Sequence, residues 1–591
     1  MLPELSLFEH LGLDSLDFAE LVAFLEDEFD VVGITSDDLT TVSRLFLIAS
    51  KLYVKEEREV VVKKSRSWNR KRKPYQLQIG DVKTIPEAFF AACKKAPFSA
   101  ICSDALSGTM SYFEMKRAVL LFAEKLEKLP GKRVGVLMPS SCASMIIVLA
   151  CQLAGKVPVL INWTVGGRHL EAVVSLAGIS CVLSSWKFLD KLENVDLQAI
   201  DDKIVLLEEF KADIGLFTFL QKSIRALFDY SVLLNPDDEA VCLFTSGTEG
   251  MPKGVPLTHR NILSNQQAVL KDVALFSSDI LLSCLPPFHS FGFSVTGLLP
   301  LLAGLRVVFY PNPTDSKRLA KVIDTWQVTI LCTAPTFSKN ILYFANKAEL
   351  QPLRLIVSGA EKAPQELFAL REKQCPNALM YEGYGITECA PVLTVNTTGN
   401  RENGVGRPLH NVKILIVDPQ HLDKEKNQGE EGLVLASGPN VFSGYLTASD
   451  KESGTPPRNP FIEVAGHTWY QTGDLGSITD DGNLIISGRL KRFVKIGAEM
   501  LSLAAIEEAL SSYHGSSNLP QFVVMPKRDH TGKEELVLFT TKSLDPAQVN
   551  QMLRKVGFSN IAKISMVIQV DEIPLTATGK VAFRELEALN L

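Results

Sequence analysis

At 591 residues the chain exceeds what a single hydrophobic core can hold; it has the length of about three or four domains, ample for an enzyme. The formal net charge of −6 is uneven: positions 1–52 carry eleven Asp or Glu against Arg44 and Lys51, a net of −9, which leaves +3 for the remainder. Ten cysteines without a Cys-x-x-Cys pair or a His/Cys cluster argue against a disulfide framework or a zinc site, and fit a reducing, cytoplasmic compartment.

In the acidic front, Asp14-Ser15-Leu16 precedes Phe18, Leu21, Val22, Leu25 and Phe29 at close to a 3.6-residue period, which predicts a helix with Ser15 at its N-terminus. Alone, Ser15 reads as an N-cap. With the acidic stretch Glu26-Asp27-Glu28-Phe29, and Thr40-Thr41-Val42 leading a further helix, the segment resembles an acyl carrier protein. The resemblance implies that Ser15 is the attachment point of 4′-phosphopantetheine. Only about thirteen residues stand before Asp14, where carriers have a long first helix and loop. A working carrier, a docking module and a shortened front are therefore alternatives.

A basic run follows, Lys63, Lys64, Arg66, Arg70, Lys71, Arg72 and Lys73, ending at Pro74. It reads as a solvated linker, or as a surface that attracts an acidic carrier or an anionic membrane from the inner face. Only Trp68 interleaves it, so it carries no nucleic-acid signature. The N-terminus lacks the basic and apolar regions of a signal peptide. The apolar stretches 145–161 and 294–310, interrupted by Gln152 and Lys156 or by Arg306, fall short of the roughly 20 residues of a spanning helix and read as core.

From about Leu77, strands at 133–138, 157–161 and 181–184 alternate with helices at 141–154 and 170–177, which predicts a largely parallel α/β sheet. The alternation resumes with strands at 280–284, 306–310, 330–333 and 353–358 and a helix at 316–325. After Gly404, short apolar strands at 412–417, 432–436 and 484–487 between glycine turns predict a smaller β subdomain. A last unit, from Gly488-Arg489-Leu490-Lys491, holds a helix from Ser502 and strands at 521–525 and 535–540.

Between the two α/β parts lies Leu243-Phe244-Thr245-Ser246-Gly247-Thr248-Glu249-Gly250-Met251-Pro252-Lys253-Gly254. Glycines among small hydroxyl residues let backbone N–H groups converge on a phosphate, and Lys253 adds a point charge. It is not a Walker A loop, because no Gly-Lys pair in the chain is followed by Ser or Thr. Further along, Glu382-Gly383-Tyr384-Gly385-Ile386-Thr387-Glu388 offers an aromatic face, close-approach glycines and a carboxylate suited to Mg²⁺. Asp474, in Tyr470-Gln471-Thr472-Gly473-Asp474, and Arg489 suit ribose hydroxyls or phosphate. His289 sits among apolar residues in Leu285-Pro286-Pro287-Phe288-His289-Ser290-Phe291-Gly292, and Thr576-Ala577-Thr578-Gly579-Lys580 presents a lysine near the C-terminus. Each alone reads as a packed residue or a turn charge.

In this order the segments resemble the adenylate-forming superfamily of acyl-CoA synthetases, luciferases and nonribosomal adenylation domains, from about Leu77 to the C-terminus. Together with Gly359-Ala360-Glu361-Lys362, Gly438-Pro439-Asn440 and Lys495-Ile496-Gly497-Ala498-Glu499-Met500, they look most like the acyl-ACP synthetase part of the 2-acylglycerophosphoethanolamine acyltransferase/acyl-ACP synthetases. The acyltransferase part has no counterpart, since none of the nine histidines is followed five positions later by aspartate.

The resemblance implies a large α/β N-terminal domain with a β subdomain and a small, mobile α+β C-terminal domain. The divisions expected are 1–53 carrier-like, 54–76 basic linker, 77–488 adenylation and 489–591 lid. It implies ATP and Mg²⁺ as cofactors and a long-chain fatty acid joined to holo-acyl carrier protein through acyl-AMP. An acyl-CoA ligase, or a scaffold with a dead site, is the alternative. In the implied site Thr245, Ser246, Gly247, Thr248, Gly250 and Lys253 hold the β- and γ-phosphates, and Glu388 binds Mg²⁺. Gly359, Ala360, Glu361, Gly383, Tyr384, Gly385 and Thr387 frame the nucleotide, and Asp474 and Arg489 hold the ribose. Lys580 bridges carboxylate and phosphate during adenylation. Rotation about Lys491 would then exchange it for the Lys495 segment, with His289 at the acyl–pantetheine junction. An apolar tunnel is expected along 288–302, with Trp163 as a wall.

Overall fold

The computed structural model describes Phe29, 41–50, 68–164, 167–192, 195, 197–212, 214–228, 233–245, 252–400, 404–446, 459–496, 499–514, 520–528, 534–556, 562–575 and 581–589. The chain divides into two compact units, 1–62 with 192–194, and 63–191 with 195–591. In the first, the helix Val42–Ala49 starts where Thr41 accepts a hydrogen bond from the Arg44 amide, in the position read as leading a helix. Ser15 lies outside the described residues.

The second unit holds two large sheets rather than one continuous one. The first runs, edge to edge, Ile204–Leu206, Val182–Ser184, Arg133–Val136, Val157–Leu160, Glu239–Thr245, Lys253–Thr258, and is parallel except for the last pair. The second runs Arg407–Pro408, Val392–Asn396, Leu379–Gly385, Leu355–Ser358, Ile330–Thr333, Ile280–Ser283, Arg306–Phe309, Ala100–Asp104, Gly108–Ser111, parallel in its middle and antiparallel at both edges. Helices between the sheets bury nearly continuous apolar faces. Cys142–Leu153, capped by Ser141, and the strand Val157–Leu160 account for the first greasy stretch. The π-helix Phe291–Leu298 and Leu299–Ala303 account for the second, with Phe293, Leu298 and Leu301 fully buried. Both stretches are core, as their length predicts.

The basic run is not wholly a solvated linker. Trp68 is buried edge-on to Trp326 at 4.9 Å, and Arg306 donates to the Trp68 carbonyl. Arg72 donates to the carbonyls of Gly304 and Ala100 at 2.9 and 2.5 Å, which takes it out of any surface field. Arg70, Lys71 and Lys73 are exposed.

A five-stranded sheet follows, built on the long strand His467–Ile478, which pairs with Gly432–Ser437, Phe461–Val464 and Leu484–Arg489. Beyond it, Leu503–His514 and Pro546–Lys555 pack on the sheet of Phe522–Arg528, Glu534–Thr540 and Ile564–Gln569. All ten cysteines are free and buried.

Candidate active site

The glycine-rich stretch is the connection of an antiparallel pair. Thr245 and Lys253 face each other across the strands Glu239–Thr245 and Lys253–Thr258, and the helix begins only after the second strand. The loop positions Ser246, Gly247, Thr248 and Gly250 lie outside the described residues, as does Lys580. The helix His259–Asp272 is started by a reciprocal cap between Thr258 and Asn261. Its buried face mixes Ile262, Leu263, Val269 and Leu270 with polar Asn261, Asn265 and Gln266. Asn261 donates to the carbonyls of Pro439 and Val441, and Asn265 exchanges two hydrogen bonds with the Val392 backbone. The polar part of that face, Asn261 and Asn265, holds the backbone of two other segments.

Glu388 sits in the turn Thr387–Cys389, buried at 9 % exposure. Three contacts from the following loop surround it. Asn440 donates to the Cys389 carbonyl, the Phe442 amide donates to the Glu388 carbonyl, and the Tyr445 hydroxyl donates to Glu388 Oε1 at 2.8 Å. Tyr445 also stands 3.1 Å from the Tyr470 hydroxyl and presents its ring to the Lys253 ammonium, 4.8 Å from the centroid. The Leu446 amide donates to the Gly254 carbonyl, and a Cβ on Gly254 would strike the Leu446 side chain at 2.7 Å. One aromatic residue thus joins Lys253 to the Glu388 carboxylate. Sequence reading missed Tyr445; the available signal was an aromatic five residues after Asn440.

Four residues along the same strand as Tyr470, Asp474 is 3 % exposed. Register places it opposite Arg489, and the guanidinium Nε lies 2.9 Å from Oδ1. Arg489 also donates to the Thr472 carbonyl, and the Asp474 amide donates to the Thr472 hydroxyl. Gly473, at φ +76°, makes the bend that this arrangement needs. The Tyr384 hydroxyl donates to Asp474 Oδ2 at 2.5 Å. Burial, and next the Asp474 carboxylate, push the Tyr384 phenol well up, so it stays a donor. Tyr384, expected to frame a base, therefore also aims the carboxylate.

Gly359 and Gly383 form a floor. A Cβ on Gly359 would lie 3.4 Å from the Gly383 carbonyl oxygen and 3.5 Å from the Phe291 ring, and Ala360 turns away at φ +72°. Glu361 accepts from Thr336, and Thr387 lies 3.2 Å from Ser290. Gly385 admits no side chain, because a Cβ would meet the Pro391 carbonyl at 2.1 Å. A hard carboxylate held on one oxygen suits Mg²⁺, and a glycine floor beside an Asp–Arg pair suits a nucleotide.

His289 precedes the π-helix with its ring 4.5 Å from Phe288, which meets Trp163 edge-on at 4.6 Å. The expected tunnel wall is thus partly filled by packing: Phe288 and Phe293 belong to the main core. Among the described residues a cavity of about 100 Å³ opens beside Lys156 and His259 and one of about 20 Å³ beside Phe244 and Thr245; Phe288–Leu302 lines neither. Lys491 falls in the turn Leu490–Arg492, and Lys495 pairs by register with Met500 in the hairpin Phe493–Ile496/Glu499–Ser502.

The chain is similar to known proteins in sequence and in fold. A rice (Oryza sativa subsp. japonica) 4-coumarate–CoA ligase 2 is 25 % identical over 540 residues, covering 85 % of this chain and 92 % of its own. A 4-coumarate–CoA ligase 1 from Narcissus pseudonarcissus is 25 % identical over 502 residues, covering 81 % and 88 %. In fold, the chain resembles ATP-bound MatB from Rhodopseudomonas palustris, with TM-score 0.70, 24 % identity and coverage of 85 % and 98 %. It also resembles the Bacillus subtilis o-succinylbenzoate–CoA synthetase complexed with AMP, with TM-score 0.69, 20 % identity and coverage of 85 % and 98 %. Residues 89–446 match the AMP-binding enzyme family, and the chain belongs to it, an adenylate-forming enzyme.

Proposed function

We propose that the protein is an AMP-forming acid–thiol ligase that activates a long-chain fatty acid and delivers it to holo-acyl carrier protein. The observation that carries the first half-reaction is the joined group Lys253–Tyr445–Glu388–Tyr470, with Asp474–Arg489 farther along the strand of Tyr470. A free carboxylate is a poor electrophile at neutral pH, so thioester formation requires activation. The fatty carboxylate attacks the α-phosphate of ATP, and pyrophosphate leaves. The thiol then attacks the acyl-AMP carbonyl, and AMP leaves.

Charge neutralisation and in-line placement dominate such a step. Lys253 balances the departing phosphates, and Asp474, held by Arg489 and Tyr384, accepts from ribose hydroxyls. Glu388 would hold Mg²⁺, which supplies positive charge to the phosphate oxygens. Lys580 serves adenylation only, and rotation near Lys491 replaces it with the Lys495 segment. The division into 1–53, 54–76, 77–488 and 489–591 belongs to the same reading. His289 orients the acyl end.

The acceptor in this reading rests on the resemblance of the front, with Ser15, to a carrier and on motifs that resemble those of acyl-ACP synthetases. The named relatives favour CoA as a second reading. The deciding experiment offers holo-acyl carrier protein, CoA and the protein's own front segment to the enzyme with labelled palmitate and ATP. Preferential label on carrier protein is expected. Rapid acyl-CoA formation with the carrier untouched would overturn the acceptor, and absence of fatty-acid-dependent ATP–pyrophosphate exchange would overturn the ligase. A gain of the pantetheine mass on wild type, but not on Ser15→Ala, after treatment with CoA and a phosphopantetheinyl transferase would identify Ser15 as modified.

A further inference from the structure

The turn Leu490–Arg492 is gripped at both ends by arginines that reach in opposite directions. Just before it, Arg489 is held by the Asp474 carboxylate at 2.9 Å and donates to the Thr472 carbonyl, both on the strand His467–Ile478. At its end, the Arg492 guanidinium pairs with Glu507, donates to the Val524 carbonyl at 2.9 Å, and lies over the Phe583 ring with Cζ 4.5 Å from the centroid. Glu507 Oε1 also accepts from the Val524 amide at 2.6 Å. One side chain thus joins the helix Leu503–His514, the strand Phe522–Arg528 and the helix Phe583–Leu589. Only Leu490 and Lys491 separate the two held arginines.

Phe583 is the informative partner. It stands three positions after Lys580, which lies outside the described residues, and the chain is fixed on both flanks of that lysine. Leu575 and Val581 form an antiparallel bridge, and the Ala582 amide donates to the Pro574 carbonyl at 2.8 Å. Leu575, Val581 and Phe583 pack on a buried cluster that includes Val523, Phe539 and Leu586. A planar guanidinium can satisfy a carboxylate, a carbonyl and a ring face together, which an ammonium cannot. The ion pair to Glu507 and the bond to Val524 would hold Arg492 in place without any aromatic ring; the ring contact adds a link to the segment that bears Lys580.

We propose that Arg492 is a positioning residue for adenylation: through the Phe583 ring it fixes the base from which Lys580 is presented, and through Glu507 and the Val524 carbonyl it ties that base to the hinge turn. The proposal rests on the roles read above for Lys580 and Lys491. Its physical ground is that a reacting group displaced by about 1 Å can lose on the order of 100-fold in rate.

The test uses the full chain and two assays, palmitate-dependent ATP–pyrophosphate exchange and transfer from supplied palmitoyl-AMP to pantetheine. Phe583→Leu keeps apolar packing and the ion pair and removes only the ring face, so exchange should fall about tenfold while transfer stays within about twofold. Phe583→Tyr restores the ring and should keep exchange within about twofold of wild type. Arg492→Lys keeps the charge without the planar fork and should reproduce the Phe583→Leu loss. In a Lys580→Ala background Phe583→Leu should add less than about twofold, because both changes act through one group. Should Arg492→Lys fail to fold, Phe583→Leu carries the test, since it leaves Glu507 paired. Equal losses in both assays, full additivity with Lys580→Ala, or undiminished exchange in Phe583→Leu while Lys580→Ala abolishes it overturns the proposal and leaves the role of Lys580 standing. Exchange that survives Lys580→Ala unchanged overturns that role, and the proposal with it.

Discussion

Tyr445 is the residue on which the site turns. It holds one oxygen of Glu388 and faces the Lys253 ammonium, so the carboxylate proposed for Mg²⁺ and the lysine proposed for phosphate share one support. Tyr445→Phe removes a hydrogen bond to a charged group but keeps the ring. We expect ATP–pyrophosphate exchange to fall roughly 10-fold or more, with a raised Mg²⁺ requirement and little change in melting temperature. His259 gives a stability prediction. Its Nδ1 accepts from the Ile85 amide, and burial, partly offset by Asp238, lowers its pKa from 6.5 to about 4. The unfolded chain therefore binds a proton that the folded one refuses between those values. Stability is full above about pH 6.5 and declines as pH falls toward 4, by an amount on the order of 3 kcal/mol. Urea midpoints of wild type and His259→Gln between pH 7 and 5 check this, and the variant should show the shallower decline.

At the scale of elements, the helix His259–Asp272 is the scaffold of the site. Asn261 both caps it and holds two carbonyls of the loop leading to Tyr445. Asn261→Ala should cost a few kcal/mol in denaturant unfolding, because buried acceptors lose their donor, and it should lower exchange activity by displacing Tyr445. The start of that helix carries a local mark, Thr258 with Asn261 three positions on, a reciprocal cap. Most parallel strands were legible too, because short β-branched runs between helices have few other readings. The partners of Asn261 and Asn265 were not, because hydrogen bonds spanning 127 to 180 positions leave no local pattern. Tyr445 escaped for the same reason: its value lies in a tertiary contact. Asp474 and Arg489 were paired in the ribose reading, but only the antiparallel register of their strands shows why they meet. The strand Lys253–Thr258 was hidden by Pro256 and Gly254, which weaken a strand signature that pairing restores.

At the scale of the whole molecule, the proposed reaction separates into two half-reactions served by different surfaces. Lys580→Ala should reduce ATP–pyrophosphate exchange by about 100-fold or more while sparing thioester formation from supplied acyl-AMP, as quench-flow of each half-reaction would show. The exposed pair Lys362–Glu508, 3.3 Å apart, joins the family-matched stretch 89–446 to the helix Leu503–His514. Exposed at both ends, it should contribute under about 1 kcal/mol, so Lys362→Ala should leave the melting temperature unchanged. The ten buried cysteines have a consequence for the acceptor chemistry. Burial raises the pKa of Cys284 and Cys332 to about 12 and that of Cys375 to about 11, which keeps them protonated and poorly nucleophilic. An enzyme that generates a thiol-seeking mixed anhydride thus shows no competing thiol of its own at the surface. With these thiols buried, a hydroxylamine-sensitive acyl thioester on the folded protein is the expected signature of the proposed pantetheine arm, which turns self-acylation into a test of the proposed carrier reading of the front.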